Sequence, residues 1–130
     1  MVKPGALAPT IPLVVLVDDG TASSAEVLAG ALQDAGRAKV IGTTTFGTGT
    51  VVAEYPLADG SALRIGTIEW LTPKHDAVWR HGITPTLTVD LADGVRPLTP
   101  RSLSALGAGG VAATKDVQLQ TAIELLGSKA

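Results

Sequence analysis

The chain has 130 residues, a hydrophobic fraction of 45%, a formal net charge of −2 and no cysteine. This is the size of one ordinary domain, and with only 3% aromatic residues its core must be aliphatic. The small charge and the lack of a basic stripe argue against nucleic acid as a partner, and the lack of cysteine excludes disulfides, a thiol nucleophile and thiolate metal sites. No apolar run reaches the ~20 residues of a membrane span, and no signal peptide is recognisable.

The first part of the chain has the pattern of a βαβ unit. Residues 1–10, rich in Pro, Gly and Ala, predict a flexible arm, and "IPLVVLV" (11–17) predicts a strand buried on both faces. A helix is expected from Ser23 to Ala35, and its predicted apolar face consists of Val27, Leu28, Ala31 and Leu32. "KVIG" (39–42) predicts a second strand, and the short connections favour parallel pairing.

A hairpin and a terminal helix are predicted downstream. Residues 43–50 form a Gly/Thr loop, whose Phe46 we expect to be inserted into the core. The strand-like runs 51–57 and 62–71 flank an Asp-Gly turn, which is a good hairpin signal. The predicted organisation is an arm (1–10), a core (11–93), a linker (94–114) and a C-terminal helix (115–130).

The turn "DDGTASSAE" (18–26) between the first strand and the helix has two interpretations. Ser23-x-x-Glu26 fits a capping box, in which the two side chains satisfy free amides of the first helical turn. The same sharp turn would also expose the Ser23 hydroxyl beside the positive end of the helix, as a nucleophile requires. A serine nucleophile needs a base within hydrogen-bond reach, so local sequence alone leaves both interpretations open.

This turn belongs to an ordered series of motifs that covers residues 12–125. The series consists of "PLVVLVDDGTASSAEVLAGALQDAGRAKVIGTTTFGTGTV", "PLADGSALRIGTIEWLTP", "GITPTLTV" and Asp116-Val117-Gln118-Leu119 near the end. It resembles the C-terminal processing (tail-specific) serine peptidases. The resemblance implies an α/β fold, the crotonase/ClpP-like catalytic core, present in part as a βαβ unit, a β-hairpin and a C-terminal helix.

The resemblance also assigns site residues by position. Ser23 takes the place of the nucleophile, Ser24 is the fallback nucleophile, and the backbone amide of Ser24 is an oxyanion donor. Thr48 stands where the family has its lysine base, and Val52 stands where the family has the glutamine that orients the lysine. A threonine hydroxyl cannot accept a proton near neutral pH, so the expected base is missing.

Four other residues are candidates for a replacement base. His75 and His81 are the best candidates, because an imidazole titrates near the working range, and Lys39 and Lys74 are weaker ones. Each of these side chains is also typical of a solvated surface group. The spacing His75-x5-His81 is a weak metal signal, so we predict no metal site and no cofactor.

The resemblance implies a serine-type endopeptidase that cleaves the C-terminal regions of protein or peptide substrates. Because the lysine and the family's upstream Asp-Leu-Arg-x-Asn-Pro-Gly-Gly segment have no counterpart, we expect a fragment that is inactive alone. The alternative is a non-catalytic, degenerate homologue that acts as a peptide-binding or assembly module. Exposed sheet edges predict self-association. The sequence itself predicts no location, and the resemblance implies an extracytoplasmic, periplasmic parent.

Overall fold

The computed structural model describes residues 10–127. Within that range the elements, in chain order, are β1 (Val14–Val17), α1 (Ser24–Asp34), β2 (Lys39–Gly42), β3 (Thr50–Pro56), β4 (Ala62–Glu69), β5 (Leu87–Thr88), α2 (Pro100–Ala112) and α3 (Val117–Gly127). The predicted βαβ unit, hairpin and terminal helix are therefore all present. The arm predicted over 1–10 and the end of the terminal helix lie almost entirely outside the described residues.

The parallel sheet has the strand order β1-β2-β5. β1 pairs with β2 from Val14 opposite Lys39 to Val17 opposite Gly42, which confirms the predicted parallel pairing. Within the described range β1 pairs with β2 alone and is an edge strand. Val15 and Val17 face the packed cluster with α1, but Leu16 on the opposite face is 39% exposed, so the expectation of a strand buried on both faces is wrong.

Helices cover both faces of this sheet. On one face, Ala29 of α1 packs with Val17 and Val40, and Val15 lies against this cluster. On the other face, α3 contacts β1 and β2. Ile41, which is fully buried, alternates with Val40 and therefore points toward the α3 face. The core is thus thin, and it centres on β2.

The buried face of α1 is not the apolar face that the sequence predicts. Glu26, Ala29 and Gly30 are buried, whereas Val27 is 46% exposed and Leu28 is 61% exposed. A Cβ at Gly30 would lie 3.0 Å from the Ile83 side chain, so a neighbouring segment packs directly on the helix backbone there. Small residues face the core because that segment approaches closely, and the larger apolar residues face outward.

The hairpin of β3 and β4 extends away from the parallel sheet. Its strands pair from Thr50 opposite Glu69 to Pro56 opposite Ala62, with a bulge between Val51 and Val52. Side chains along both strands are exposed on both faces of this two-stranded sheet. The predicted hairpin and its Asp-Gly turn are confirmed.

The segment predicted as a linker contains α2. Thr99 caps this helix and accepts a hydrogen bond from the Ser102 amide at 3.2 Å, and Pro100 follows at the first helical position. Gly107, at φ 62°, interrupts the helix with a kink. The small, Gly-rich composition suggested no regular structure, but a strong start signal was present at Thr99-Pro100.

Candidate functional site

The turn between β1 and α1 is closed by a dense local hydrogen-bond pattern. Asp18 Oδ1 accepts from the Gly20 amide at 3.1 Å and from the Thr21 hydroxyl at 2.9 Å. The Asp18 amide donates to the Thr21 hydroxyl oxygen at 3.1 Å, and the Thr21 amide donates to the Asp18 carbonyl at 3.0 Å. These bonds reverse the chain within four residues and bring Ser23 to the start of the helix.

Ser23 has a strained backbone and an exposed side chain. Its φ is 55° and its ψ is −124°, a conformation that residues other than glycine rarely adopt. Ser23 and Glu26 form the predicted capping box: the Ser23 amide donates to Glu26 Oε2 at 2.9 Å, and the Ser23 hydroxyl faces the Glu26 amide without reaching good hydrogen-bond geometry. The hydroxyl is therefore held only weakly by the cap and is exposed to solvent.

The first amide of α1 is available beside this hydroxyl. The amides of Ala25 and Glu26 donate to backbone carbonyls of the turn, at 3.2 and 2.9 Å. Within residues 10–127 the amide of Ser24 has no acceptor. A free amide at the positive end of a helix can stabilise a negative oxygen that forms at Ser23.

Glu26 is fully buried and accepts four hydrogen bonds. Oε1 accepts from the Thr45 hydroxyl at 2.5 Å and from the Gly47 amide at 2.6 Å. Oε2 accepts from the amides of Ser23 and Thr48, each at 2.9 Å. Burial raises the pKa of the Glu26 carboxyl. The four hydrogen bonds lower it, and the bond from the Thr45 hydroxyl has the largest effect among them. Together they outweigh burial and hold the pKa below its usual value.

The Gly/Thr loop is held between the helix start and the segment 78–83. The Phe46 amide donates to the Thr21 carbonyl at 2.9 Å, and the Arg80 amide donates to the Gly47 carbonyl at 3.0 Å. A Cβ at Gly49 would lie 2.3 Å from the backbone nitrogen of Trp79, so this close approach requires glycine. Phe46 is 69% exposed, so its predicted insertion into the core is wrong: the backbone of the loop, and not the ring, makes the contact.

Thr48 and Val52 occupy different environments in the loop and the hairpin. Thr48 is half-buried and its amide is bound to Glu26, while its hydroxyl has no hydrogen-bond partner within the described residues. Val52 is 47% exposed and follows the bulge of β3, opposite Gly66. Thr48 is thus brought close to Ser23 through Glu26, but it supplies no basic group.

The structure does not join His75 or His81, the best candidates for a replacement base, to Ser23 by any hydrogen bond. His75 lies in the loop that the Lys74 amide ties to Asp34 Oδ2, at 2.9 Å, at the C-terminal end of α1. The Nδ1 atom of His81 lies 2.8 Å from the Trp79 carbonyl oxygen, and the ring lines a cavity of about 440 Å³ beside that same end of the helix. Ser23 precedes the opposite end of α1.

The two lysines that are candidate bases also lie apart from Ser23. Lys39 begins β2, at the amino edge of the parallel sheet, whereas Ser23 follows the carboxyl edge. Lys74 lies beside Asp34. Among residues 10–127, no three His, Asp or Glu side chains cluster as a metal site would require, and no helix there is long and apolar enough to span a bilayer.

Sequence reasoning missed the central residue of this arrangement. The capping-box spacing identified Glu26 as a local helix cap only. Its other three donors belong to residues 45–48, so the contact depends on tertiary packing. The one available signal was a charged residue three positions after Ser23, on the face of α1 that carries Ala29 and Gly30.

Comparison with known proteins identifies relatives for most of the chain. A family model described as peptidase family S41 matches residues 3–89. A carboxyl-terminal-processing protease of Synechocystis sp. is 38% identical over 122 residues, which are 94% of this chain and 26% of that protein. A carboxy-terminal processing protease of Bacillus subtilis is 43% identical over 82 residues, which are 63% of this chain and 17% of that protein. The chain therefore spans about a quarter or less of the length of these curated relatives.

Solved structures support the same relationship. The photosystem II D1 C-terminal processing protease matches with a TM-score of 0.61 at 35% identity, over 81% of this chain and 26% of that chain. Mature CPAF matches with a TM-score of 0.60 at 21% identity, over 90% of this chain and 21% of that chain, and shows the likeness of fold alone. The predicted partial α/β peptidase core is confirmed. The chain belongs to peptidase family S41.

Proposed function

We propose that this chain carries the nucleophile part of a serine peptidase of the C-terminal processing class, which acts on protein or peptide substrates. Ser23 is the nucleophile, and the Ser24 amide is one oxyanion donor. The observation that carries the proposal is the strained φ of Ser23 next to the unpaired amide of Ser24. A cap does not require the positive φ of Ser23, and the Ser24 amide, free like the first amide of any helix, supplies a donor beside the proposed nucleophile.

The reaction would follow the acyl-enzyme route. Ser23 Oγ attacks the carbonyl carbon of the scissile peptide bond, its proton passes to a base, and the negative oxygen is stabilised by the Ser24 amide. The C–N bond then breaks as the base returns the proton to the leaving amine. Water hydrolyses the ester in the second half of the reaction and frees Ser23.

The residue at the expected position of the base carries no basic group. Thr48 stands in the position that the family resemblance gives to the lysine, and its hydroxyl cannot take up the serine proton near neutral pH. Glu26 does not substitute, because four hydrogen bonds occupy its oxygens and lower its pKa. We therefore propose that the 130-residue chain alone has little or no peptidase activity.

A non-catalytic role is the second candidate, and the pair Thr48 and Val52 favours it. Both positions that resemblance assigns to the base and to its orienting residue carry side chains without an ionisable or amide group. In that case the same loop and helix start would bind a peptide or help an assembly form, without cleaving a bond.

A covalent probe distinguishes the two candidates. A fluorophosphonate is expected to label Ser23 in the double variant Thr48→Lys/Val52→Gln, and Ser23→Ala in that background should abolish labelling. The matched control is Thr48→Met/Val52→Gln, which has a side chain of similar length without an amine. Labelling of the lysine variant alone would support the serine peptidase. Equal absence of labelling in both variants would contradict Ser23 as a nucleophile and favour the binding module.

A further inference from the structure

We propose that Glu26 is the positioning residue of this site: its one carboxylate fixes the Ser23 turn relative to the loop at Gly47 and Thr48. The proposal rests on the proposed function where it treats Ser23 as the nucleophile. The coupling of the two segments is a property of the fold, and it can be measured without any activity.

The geometry exceeds what a helix cap requires. A cap needs the single bond from the Ser23 amide, which lies three residues away in the chain. The other three donors come from Thr45, Gly47 and Thr48, which lie 19 to 22 residues away. Glu26 Oε2 bonds one amide from each segment, so the turn and the loop are joined through a single atom.

Each of the four groups around the carboxylate can act only as a hydrogen-bond donor toward it. The Thr45 hydroxyl accepts from the Ile83 amide at 2.7 Å and gives its only proton to Glu26 Oε1. Backbone amides can only donate. All four groups that face the carboxylate are therefore donors, and only an ionised carboxylate offers acceptor sites to all four.

No other side chain fits this position. Glutamine would turn an NH2 group toward two donors, either the pair of amides from Ser23 and Thr48 or the pair at Thr45 and Gly47. Aspartate is one methylene shorter and cannot reach both segments from the same helix position. The four contacts thus specify glutamate. Because both carboxylate oxygens already accept two hydrogen bonds each, Glu26 positions other groups and does not take up the serine proton.

Hydrogen exchange of individual amides, measured by NMR on the whole 130-residue chain, tests the coupling. In Glu26→Gln, exchange at Gly47 and Thr48 should rise roughly 10- to 100-fold more than exchange at Val40 in the core. Thr45→Val keeps the side-chain volume and should raise exchange at Gly47 and Ile83. The matched control Thr45→Ser keeps the hydroxyl and should change these rates by less than about threefold.

Two results would overturn the proposal. Unchanged exchange at Gly47 and Thr48, relative to Val40, in both Glu26→Gln and Thr45→Val would show that the carboxylate does not hold the loop. If Glu26→Gln fails to fold, the wild-type chain still decides: the amide resonances of Ser23, Gly47 and Thr48 should shift together as the Glu26 carboxyl titrates. Independent titration of these three amides would equally overturn the proposal.

The catalytic consequence is tested in the Thr48→Lys/Val52→Gln background. Adding Glu26→Gln should slow the maximal rate of fluorophosphonate labelling roughly 10- to 100-fold with little change in the probe concentration for half-maximal rate. Adding Asp59→Asn, in the exposed hairpin turn outside this network, should preserve the rate. Coupled changes in exchange without labelling in any variant would contradict Ser23 as the nucleophile and would support Glu26 as the residue that positions the turn and the loop. Labelling that is indifferent to Glu26→Gln would contradict the positioning role.

Discussion

Ser23 and Thr48 donate their backbone N–H groups to the same oxygen atom, Oε2 of Glu26, each across 2.9 Å. The two nitrogens therefore lie within two hydrogen-bond lengths of each other, although they belong to different segments. By resemblance these are the positions of the nucleophile and of the base. The backbone arrangement that would bring the two together is present in this chain, whereas the basic side chain is not.

The shared carboxylate predicts acid sensitivity. The folded-state pKa of Glu26 is lower than its ordinary value of 4.5, so its contribution to stability is fully present above that value and is lost as the pH falls through the folded pKa. Urea denaturation followed by Trp fluorescence should show a free energy of unfolding that declines below pH 4.5. In Glu26→Gln the decline should be smaller.

A control separates this effect from that of exposed carboxylates. The Ser61 hydroxyl and amide lower the pKa of Asp59, which lies in the hairpin turn, and its contribution has the same sign. Asp59→Asn removes an exposed carboxylate of this kind and should leave most of the decline in place. A decline that is the same in wild type and Glu26→Gln would contradict the role of Glu26 in acid sensitivity.

Gly42 is predicted to be essential where β2 ends. Its φ is 131°, and a Cβ there would lie 1.8 Å from the Val17 carbonyl oxygen of β1. Gly42→Ala should lower the free energy of unfolding by more than about 3 kcal/mol, because the backbone of β1 cannot move aside without breaking the ladder. Urea denaturation at neutral pH measures the change.

Gly60 provides the matched control for this substitution. It also has a positive φ, of 83°, but a Cβ there would meet nothing within 4 Å. Gly60→Ala should therefore cost about 1 kcal/mol, from backbone conformation alone. Equal losses at the two positions would show that the crowding against Val17 is unimportant.

The strands were largely predictable from the sequence, and the buried faces of the helices were not. β2 has the predicted bounds, and the hairpin has the predicted turn, because strand pattern and turn chemistry are local. For α1, periodicity assigned Val27 and Leu28 to the core, but both are exposed. The helix packs through small residues and a hydrogen-bonded glutamate, and hydrophobicity patterns do not register that kind of contact.

The site shows the same division between local and tertiary information. The strand-to-helix turn that exposes Ser23 could be predicted from Asp-Asp-Gly and from the capping residues. The contact between Glu26 and the loop could not, because it depends on residues 45–48 folding back over the start of the helix. The prediction of a linker over 94–114 did not use Thr99 and Pro100 as a helix start signal, although α2 begins there.

Asp116 is predicted to be a major stabilising residue of the C-terminal part. It is 2% exposed, and its carboxylate accepts from the Leu98 amide at 2.7 Å and from the Leu119 amide at 3.0 Å. Asp116→Ala leaves both amides without this acceptor and should lower the free energy of unfolding by about 2 kcal/mol. The exposed Asp93 is the control, and Asp93→Ala should change stability by less than about 0.5 kcal/mol. Similar effects of the two substitutions would contradict the stabilising role of the Asp116 carboxylate.

The β-hairpin is predicted to mediate self-association. Tyr55 pairs with Leu63 and Ala53 pairs with Ile65, so these side chains share one face of the two-stranded sheet. Tyr55, Leu63 and Ile65 are between 44% and 50% exposed, which leaves an apolar surface that a second copy could cover. Analytical ultracentrifugation over a concentration series should show dimers or larger species at high concentration.

A charged residue on that face should disperse these species. Ile65→Lys should weaken association roughly tenfold or more, because a buried lysine would lose its hydration without gaining a partner. Ala58→Lys adds the same charge at the exposed turn of the hairpin, away from the apolar face, and should leave association nearly unchanged. If both variants dissociate equally, net charge and not the apolar face controls assembly. If the wild-type chain is monomeric at all concentrations, the apolar face does not support association between copies of this chain.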